Sequence, residues 1–396
     1  MGELRVRPLT EAREIHAVVP AGIDDPERPS GGNTYDRRVL EGLTGLGRRV
    51  VEHHVPGAWP APDEAALRRL AAVVAAVPDD AIVLVDGLVA SAAEHVLVGE
   101  AARTTLVPLV HLPLGVTDTT ASAAEGRVLR ASAAVVVTSS WTGEWLREAH
   151  RLPVGTVHVC PPGVDAAPAV MGTASGTRLL CIGPVTRLKG HLDLVDALAR
   201  VRDLPWSCAF VGSTAVEPST VARVEEMLAR IGMVERVRLL GPRAHADVGS
   251  AYATADLVVQ ASHVETYGMV VGEALARGLP VLAASVGGMA EALGSTDAGP
   301  PGLLVPPGRP EALAASLRAW LTDAELREEL RRRAALRRGT LAPWARTVAA
   351  VDAALESAVR GRGRSSPVTD ADGPGAEPAG RPGRRHSQDQ GGRSGR

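Results

Sequence analysis

Aromatic side chains are scarce: they make up 3% of the 396 residues, with a single Phe. Any core must therefore be filled by Ala, Val and Leu, and at 45% hydrophobic residues there are enough of them. Cysteine is nearly absent. Cys160, Cys181 and Cys208 cannot all pair within one chain, and no CxxC or other metal-ligand spacing occurs, which excludes a disulfide framework or a zinc ribbon. Reduced, buried thiols are the expectation. No uninterrupted apolar run approaches membrane-spanning length. Met1 to Arg13 alternates charged and apolar residues without a secretory core, so cytoplasmic residence is expected. A formal net charge of -2 argues against nucleic acid as the main partner. The G-x-G-x-x-G fingerprint, the Walker A loop and a plausible Asp-x-Asp metal site are all missing, which weakens dehydrogenase, NTPase and metal-dependent readings. Lysine is the rarest cation: among 43 Lys plus Arg, the sole lysine is Lys189. A lone ammonium kept in an arginine-rich chain marks a position that guanidinium does not easily fill.

What is present is an alternation of short apolar runs with helix-period segments. The runs are Ile15–Val19, Ala81–Val85, Leu106–Val110, Ala133–Val137, Val157–Cys160, Leu179–Ile182, Cys208–Val211, Val237–Leu240, Leu257–Val259 and Pro280–Ala283. Between them lie spacings such as Tyr35, Val39, Leu43 and Leu46, one face of a helix. Strands alternating with helices predict an α/β protein with parallel sheets. The pattern pauses at Asp165–Thr177, which is small, polar and broken by Pro and Gly. The expected organisation is an N-terminal domain over 1–165, a linker over 166–177, a second domain over 178–343, a closing helix over 344–360 and a disordered tail over 361–396. The tail is rich in Gly, Pro, Ser and Arg and lacks any apolar period; its arginines suit peripheral contact with an anionic membrane surface or a partner.

Four places carry chemistry. In open parallel sheets, ligands bind beyond the carboxyl ends of strands. After the run DLVVQAS, Glu265 falls in such a loop, and Gly268 precedes a helix predicted over Met269–Arg277 with Glu273 on it. Backbone amides at that helix start can face a phosphate, and two carboxylates suit vicinal hydroxyls; Glu273 alone reads equally well as a solvated helix residue. After RLLCI, the stretch Gly183–Gly190 holds Arg187 and Lys189. A cation pair there is a natural diphosphate clamp, and it sits poorly as a mere helix start, where basic residues are disfavoured. Gly31 and Gly32 lie between the first strand and a helix beginning near Thr34, and would serve either as a plain turn or as a close approach to diphosphate. His111 ends the run TLVPLV, where a lone histidine is more often structural than functional.

The segment Ala261–Glu291 resembles the donor-site signature of the family-4 retaining glycosyltransferases. Glu265 and Glu273 match the E-x7-E element. Glu273–Ala274, Ala276, Gly278 and Pro280–Val281 match E-A-x-A-x-G-x-P-V, and Gly287–Gly288 with Glu291 match G-G-x-x-E. Lys189 matches the lysine of G-R-x-x-x-x-K-G; Pro184 stands where that motif has its arginine, leaving Arg187 as the substitute. The resemblance runs from Gly31–Gly32 to the Trp344 helix. It implies the GT-B fold: two facing Rossmann-like domains, the site between them, and a last helix crossing back to the first. It implies a metal-independent, retaining transfer of a hexose-type sugar from a nucleotide diphosphate sugar to an acceptor that is a small molecule, a glycan or a lipid-linked group, with no separate cofactor. By the same resemblance His111, Lys189 and Glu265 do catalytic work. Gly31, Gly32, Arg187, Thr266, Tyr267, Gly268, Met269 and Glu273 bind the donor, Glu273 on the ribose. Thr266–Tyr267 replaces the Gly–Phe of many relatives, which bears on donor identity. The alternatives are an epimerase or phosphorylase on the same fold, or a relative that binds nucleotide sugar without turnover.

Overall fold

The computed structural model describes residues 13–25, 30–243 and 245–364. Two six-stranded sheets organise them, and every named strand pairing is parallel. The first holds β1 (Ile15–Pro20), β2 (Val50–Val55), β3 (Ile82–Asp86), β4 (Thr105–Val110), β5 (Val135–Val137) and β6 (Val157–Val159) in the order β2-β1-β3-β4-β5-β6. The second holds β7 (Arg178–Ile182), β8 (Ser207–Val211), β9 (Val237–Leu239), β10 (Leu257–Gln260), β11 (Val281–Ala284) and β12 (Gly302–Val305) in the order β12-β11-β10-β7-β8-β9. Central strands such as β3 and β4 are buried along their whole length. Helices cover both faces of such sheets, so these strands read as continuous apolar runs.

Strand order fixes where a ligand can sit. The chain reverses direction across the first sheet between β1 and β3, and across the second between β7 and β10. At such points the following loops diverge to opposite faces and leave a crevice beyond the strand ends. The loops after β7 and β10 are the ones that carry Lys189 and Glu265.

Between β6 and β7 the chain has no regular secondary structure, but it is held. Asp256, fully buried, accepts from the Thr173 hydroxyl at 2.7 Å and the Arg178 amide at 2.9 Å. Trp320 Nε1 donates to the Gly176 carbonyl at 2.7 Å. The closing helix, Trp344–Arg364, returns to the first sheet, where Val348, Val351, Ala354, Leu355 and Ala358 share one core with Ile15, Tyr35 and Val39. Arg48 of the first half clamps it through Asp352, at 2.7 and 2.9 Å.

Composition places the end of this helix at Arg360, and the structure corrects that: the helix runs on to Arg364. Arg362 explains the extension, since its guanidinium donates to the Ala101 and Ala102 carbonyls and gives the last turn a tertiary anchor. The rest of the expected tail, from residue 365, lies outside the described residues. Among the described residues no helix is long and apolar enough to cross a membrane.

Candidate active site

A cavity of about 490 Å³ lies between the carboxyl ends of the two sheets. The second sheet supplies Lys189, Glu265, Thr266, Tyr267, Gly268, Met269 and Glu273 to its wall; the first supplies Gly31, Gly32 and His111. Ten of the eleven expected site residues are thus brought together. Arg187 is the exception. Its side chain is exposed and does not line the cavity, while its backbone amide donates to Glu217 at 2.9 Å. The short helical turn Arg187–Lys189 carries both cations, and of the two only Lys189 lines the cavity.

Lys189 Nζ donates to Glu265 Oε2 at 2.5 Å, with 26% and 16% of the two side chains exposed. The loops carrying them are stitched together by the His263 amide, which donates to the Leu188 carbonyl at 2.8 Å. Gly287 sets the Glu265 loop from behind. Its φ is +51°, and a Cβ there would lie 1.7 Å from the Glu265 carbonyl oxygen, so only glycine admits this backbone contact.

The helix Met269–Ala276 begins at Gly268, and no side chain caps it. Gly268 and Met269 line the cavity; the Val271 amide donates to the Gly268 carbonyl at 2.9 Å, and the amides before it at such a helix start suit phosphate or hydroxyl oxygens. One turn on, Glu273 Oε2 accepts from the Tyr252 hydroxyl at 2.8 Å. Tyr252 is fully buried; burial first, and then the Glu273 charge, hold its phenol well above the ordinary range. The hydroxyl therefore stays a donor and fixes the Glu273 carboxylate. The Arg277 guanidinium stacks on the Tyr252 ring, 4.4 Å from its centroid.

His111 follows β4 and pairs with Asp36 of the Gly31–Gly45 helix, Nε2 to Oδ1 at 2.6 Å. Asp86, at the end of β3, accepts from the Leu88 and Val89 amides at 2.8 and 3.3 Å. Ligand atoms of Asp36, Asp86 and His111 all lie within 4.8 Å of one another. A 2.6 Å separation is a charge-assisted hydrogen bond, so His111 and Asp36 act as one hydrogen-bonded pair.

Sequence reasoning missed several residues. Tyr252 is separated from Glu273 by a strand and a loop, and nothing in its neighbourhood marks it. Arg243 also lines the cavity, from a loop with no motif. Asp36 hides beside Tyr35 and Val39 in a helix pattern, where a carboxylate reads as solvent-facing. The two halves also meet directly: Glu291 Oε2 accepts from the Ser140 amide at 2.8 Å, which gives the last residue of G-G-x-x-E a contact with the opposite half.

Residues 174–337 match the family model described as "Glycosyl transferases group 1". Among curated relatives, a D-inositol 3-phosphate glycosyltransferase of Jonesia denitrificans is 32% identical over 227 residues, covering 52% of this chain and 53% of the relative. One from Catenulispora acidiphila is 32% identical over 261 residues, covering 61% and 62%. The chain spans about half the length of the first of these. Among solved structures, sucrose-phosphate synthase of Thermosynechococcus elongatus superposes with a TM-score of 0.71 at 20% identity, covering 89% of this chain and 98% of the other. Anabaena HepE in complex with UDP-glucose gives 0.69 at 19%, covering 87% and 100%. Two parallel six-stranded sheets accompany these likenesses: the fold is GT-B, and residues 174–337 are similar to the group 1 glycosyl transferases.

Proposed function

We propose that this protein is a retaining, metal-independent glycosyltransferase that moves a hexose-type sugar from a nucleotide diphosphate sugar to an acceptor. One observation carries the reading: Lys189, Glu265, the uncapped Gly268 helix start and Glu273 share one cavity with Gly31, Gly32 and His111 from the opposite half. Glu273, steadied by Tyr252, would accept from the ribose hydroxyls. Amides at Gly268 and Met269 would meet sugar hydroxyl or phosphate oxygens. As the bond from the anomeric carbon to the diphosphate breaks, negative charge gathers on the leaving group; Lys189 would exchange Glu265 for that charge. Glu265, released, would accept from a sugar hydroxyl. Contact between the halves would exclude water and suppress donor hydrolysis.

The test begins with thermal stabilisation by a panel of UDP-, GDP- and ADP-sugars, because a specific ligand raises stability with the logarithm of its concentration over Kd. HepE is described with UDP-glucose, so that donor comes first. The curated relatives are named for D-inositol 3-phosphate, which makes it the first acceptor to assay. Glycoside formation with the donor's anomeric configuration supports the proposal. An inverted product rules out retention. A sugar altered without any acceptor assigns the chain to the epimerases instead.

A further inference from the structure

Two buried carboxylates beside His111 have so far no part in the chemistry. Asp36 is 3% exposed and Asp86 is 5% exposed. Two adjacent carboxylates so deep in a domain cannot both be ionised at low cost. Burial, and next the Asp36 charge, push the Asp86 carboxyl up to about 7. Near neutral pH the Asp86 carboxyl is therefore only partly ionised, and it lies in hydrogen-bonding contact with Asp36.

His111 completes the chain. Its ring is seated against Gly32, where a Cβ would lie 3.1 Å from Cδ2, and meets the Tyr35 ring edge to face with centroids 5.2 Å apart. With the ring so held, Nε2–H is committed to Asp36. Among the described residues Nδ1 has no hydrogen-bond partner, and it belongs to a residue that lines the donor cavity. Burial works against a charged imidazole here, but the Asp36 charge and hydrogen bond, with Asp86 behind them, outweigh it and raise the His111 pKa.

We infer that Asp36 is a positioning residue: it fixes His111 with Nε2 protonated, supports the imidazolium form, and so makes Nδ1–H a charged donor into the cavity, with Asp86 as the second carboxyl, within 4.8 Å of both. The inference rests on the proposed function only for what Nδ1–H would meet, an oxygen of the donor. The groups that bear on the titration are Asp36 and Tyr35 from the Gly31–Gly45 helix, Asp86 from β3, and, across the cavity, Lys189, Glu265, Glu273 and Arg243. Lys189 is already matched by Glu265, so His111 supplies the first half's positive charge toward a diphosphate.

The experiment is a histidine titration by long-range 1H–15N NMR on the full chain, with His111→Gln to assign the His111 signal among the 11 histidines. In the wild-type protein His111 should titrate above the ordinary histidine value, and its neutral form should be the Nε2–H tautomer. In Asp36→Asn the midpoint should fall to or below the ordinary value. With UDP-glucose as probe donor, the alkaline limb of nucleotide release should move to lower pH in the same variant. A wild-type His111 that titrates at or below the ordinary value, or whose neutral form is the Nδ1–H tautomer, overturns the inference without any variant having to fold. An unchanged midpoint in folded Asp36→Asn does the same, as does a loss of activity that is uniform across pH. Absence of turnover with every donor would count against the proposed function and leave the titration to decide the inference alone.

Discussion

Replacing Lys189 by Ala is the sharpest test of the site. The ammonium is held by Glu265 at 2.5 Å, and both side chains are partly rather than fully buried. Removing it should cost little stability, roughly 1 kcal/mol or less, because the pair is still reached by solvent. The cost falls on catalysis. A charge-assisted hydrogen bond is worth roughly 1.5–3 kcal/mol, and stabilisation of a leaving group reaches roughly 3–4 kcal/mol in the transition state. At 1.36 kcal/mol per decade, kcat/KM should fall about 10²- to 10³-fold. The pairing adds a second consequence. Without Lys189, the Glu265 carboxylate faces the incoming diphosphate with no partner, so donor KM should rise as well. Glu265→Gln in the Lys189→Ala background should recover part of that KM but none of the lost kcat. Lys189→Arg should recover only part of the activity, since a planar fork does not fill the position of a compact ammonium. Steady-state kinetics on protein shown by melting to be folded decide the question. Activity of Lys189→Ala within a few-fold of wild type would refute the leaving-group role.

Tyr252→Phe removes the donor that steadies Glu273; it should raise donor KM about threefold to tenfold, from ~0.5–1.5 kcal/mol, with kcat nearly unchanged in the same assay. Gly287→Ala sets a methyl group against the Glu265 carbonyl at a positive φ, and calorimetry should register a loss of about 2–4 kcal/mol together with lost stabilisation by donor. Arg362→Ala releases the last turn of the closing helix from Ala101 and Ala102 and should lower stability by about 1–2 kcal/mol in a denaturant titration. His191 is buried and its pKa is lowered to about 4 by that burial. The unfolded chain then binds the extra proton between the ordinary value near 6.5 and pH 4, so this contribution to stability is full above that window and is lost as pH falls through it. From pH 7 to pH 5 the loss should be about 2 kcal/mol, and a His191→Leu variant should show a correspondingly flatter pH profile.

Much of the fold was legible because buried parallel strands announce themselves. The strands that escaped notice are β2 and β12, and both lie at sheet edges. VVEHHV alternates exposed and covered residues, and GLLV is short and half-covered, so neither stands out as an apolar run. The second half's wall of the cavity was legible because Lys189, Glu265, Gly268 and Glu273 sit at strand ends and helix starts, positions that local pattern fixes. Arg187 shows the limit of that logic: of two cations two residues apart in a tight turn only Lys189 lines the cavity, and sequence spacing does not say which one does. Asp36 and His111 lie 75 residues apart, and Asp36 pairs with His111 only because the first helix packs over the end of β4. No local signal could have joined them.

The helix Trp344–Arg364 lends five apolar side chains to a core otherwise built from the opening strands and the first helix. During synthesis those opening elements leave the ribosome more than two hundred residues before their last wall exists. Until then the Ile15, Tyr35 and Val39 face has no cover from that side, and the first half cannot reach its final stability alone. The second half, whose two largest clusters draw on residues 170–341, has no such debt and can condense first. A fragment ending before Trp344 would therefore keep a sound second half attached to an unfinished first one that is prone to aggregate. Expression of the first half in isolation calls for the closing helix to be supplied in trans.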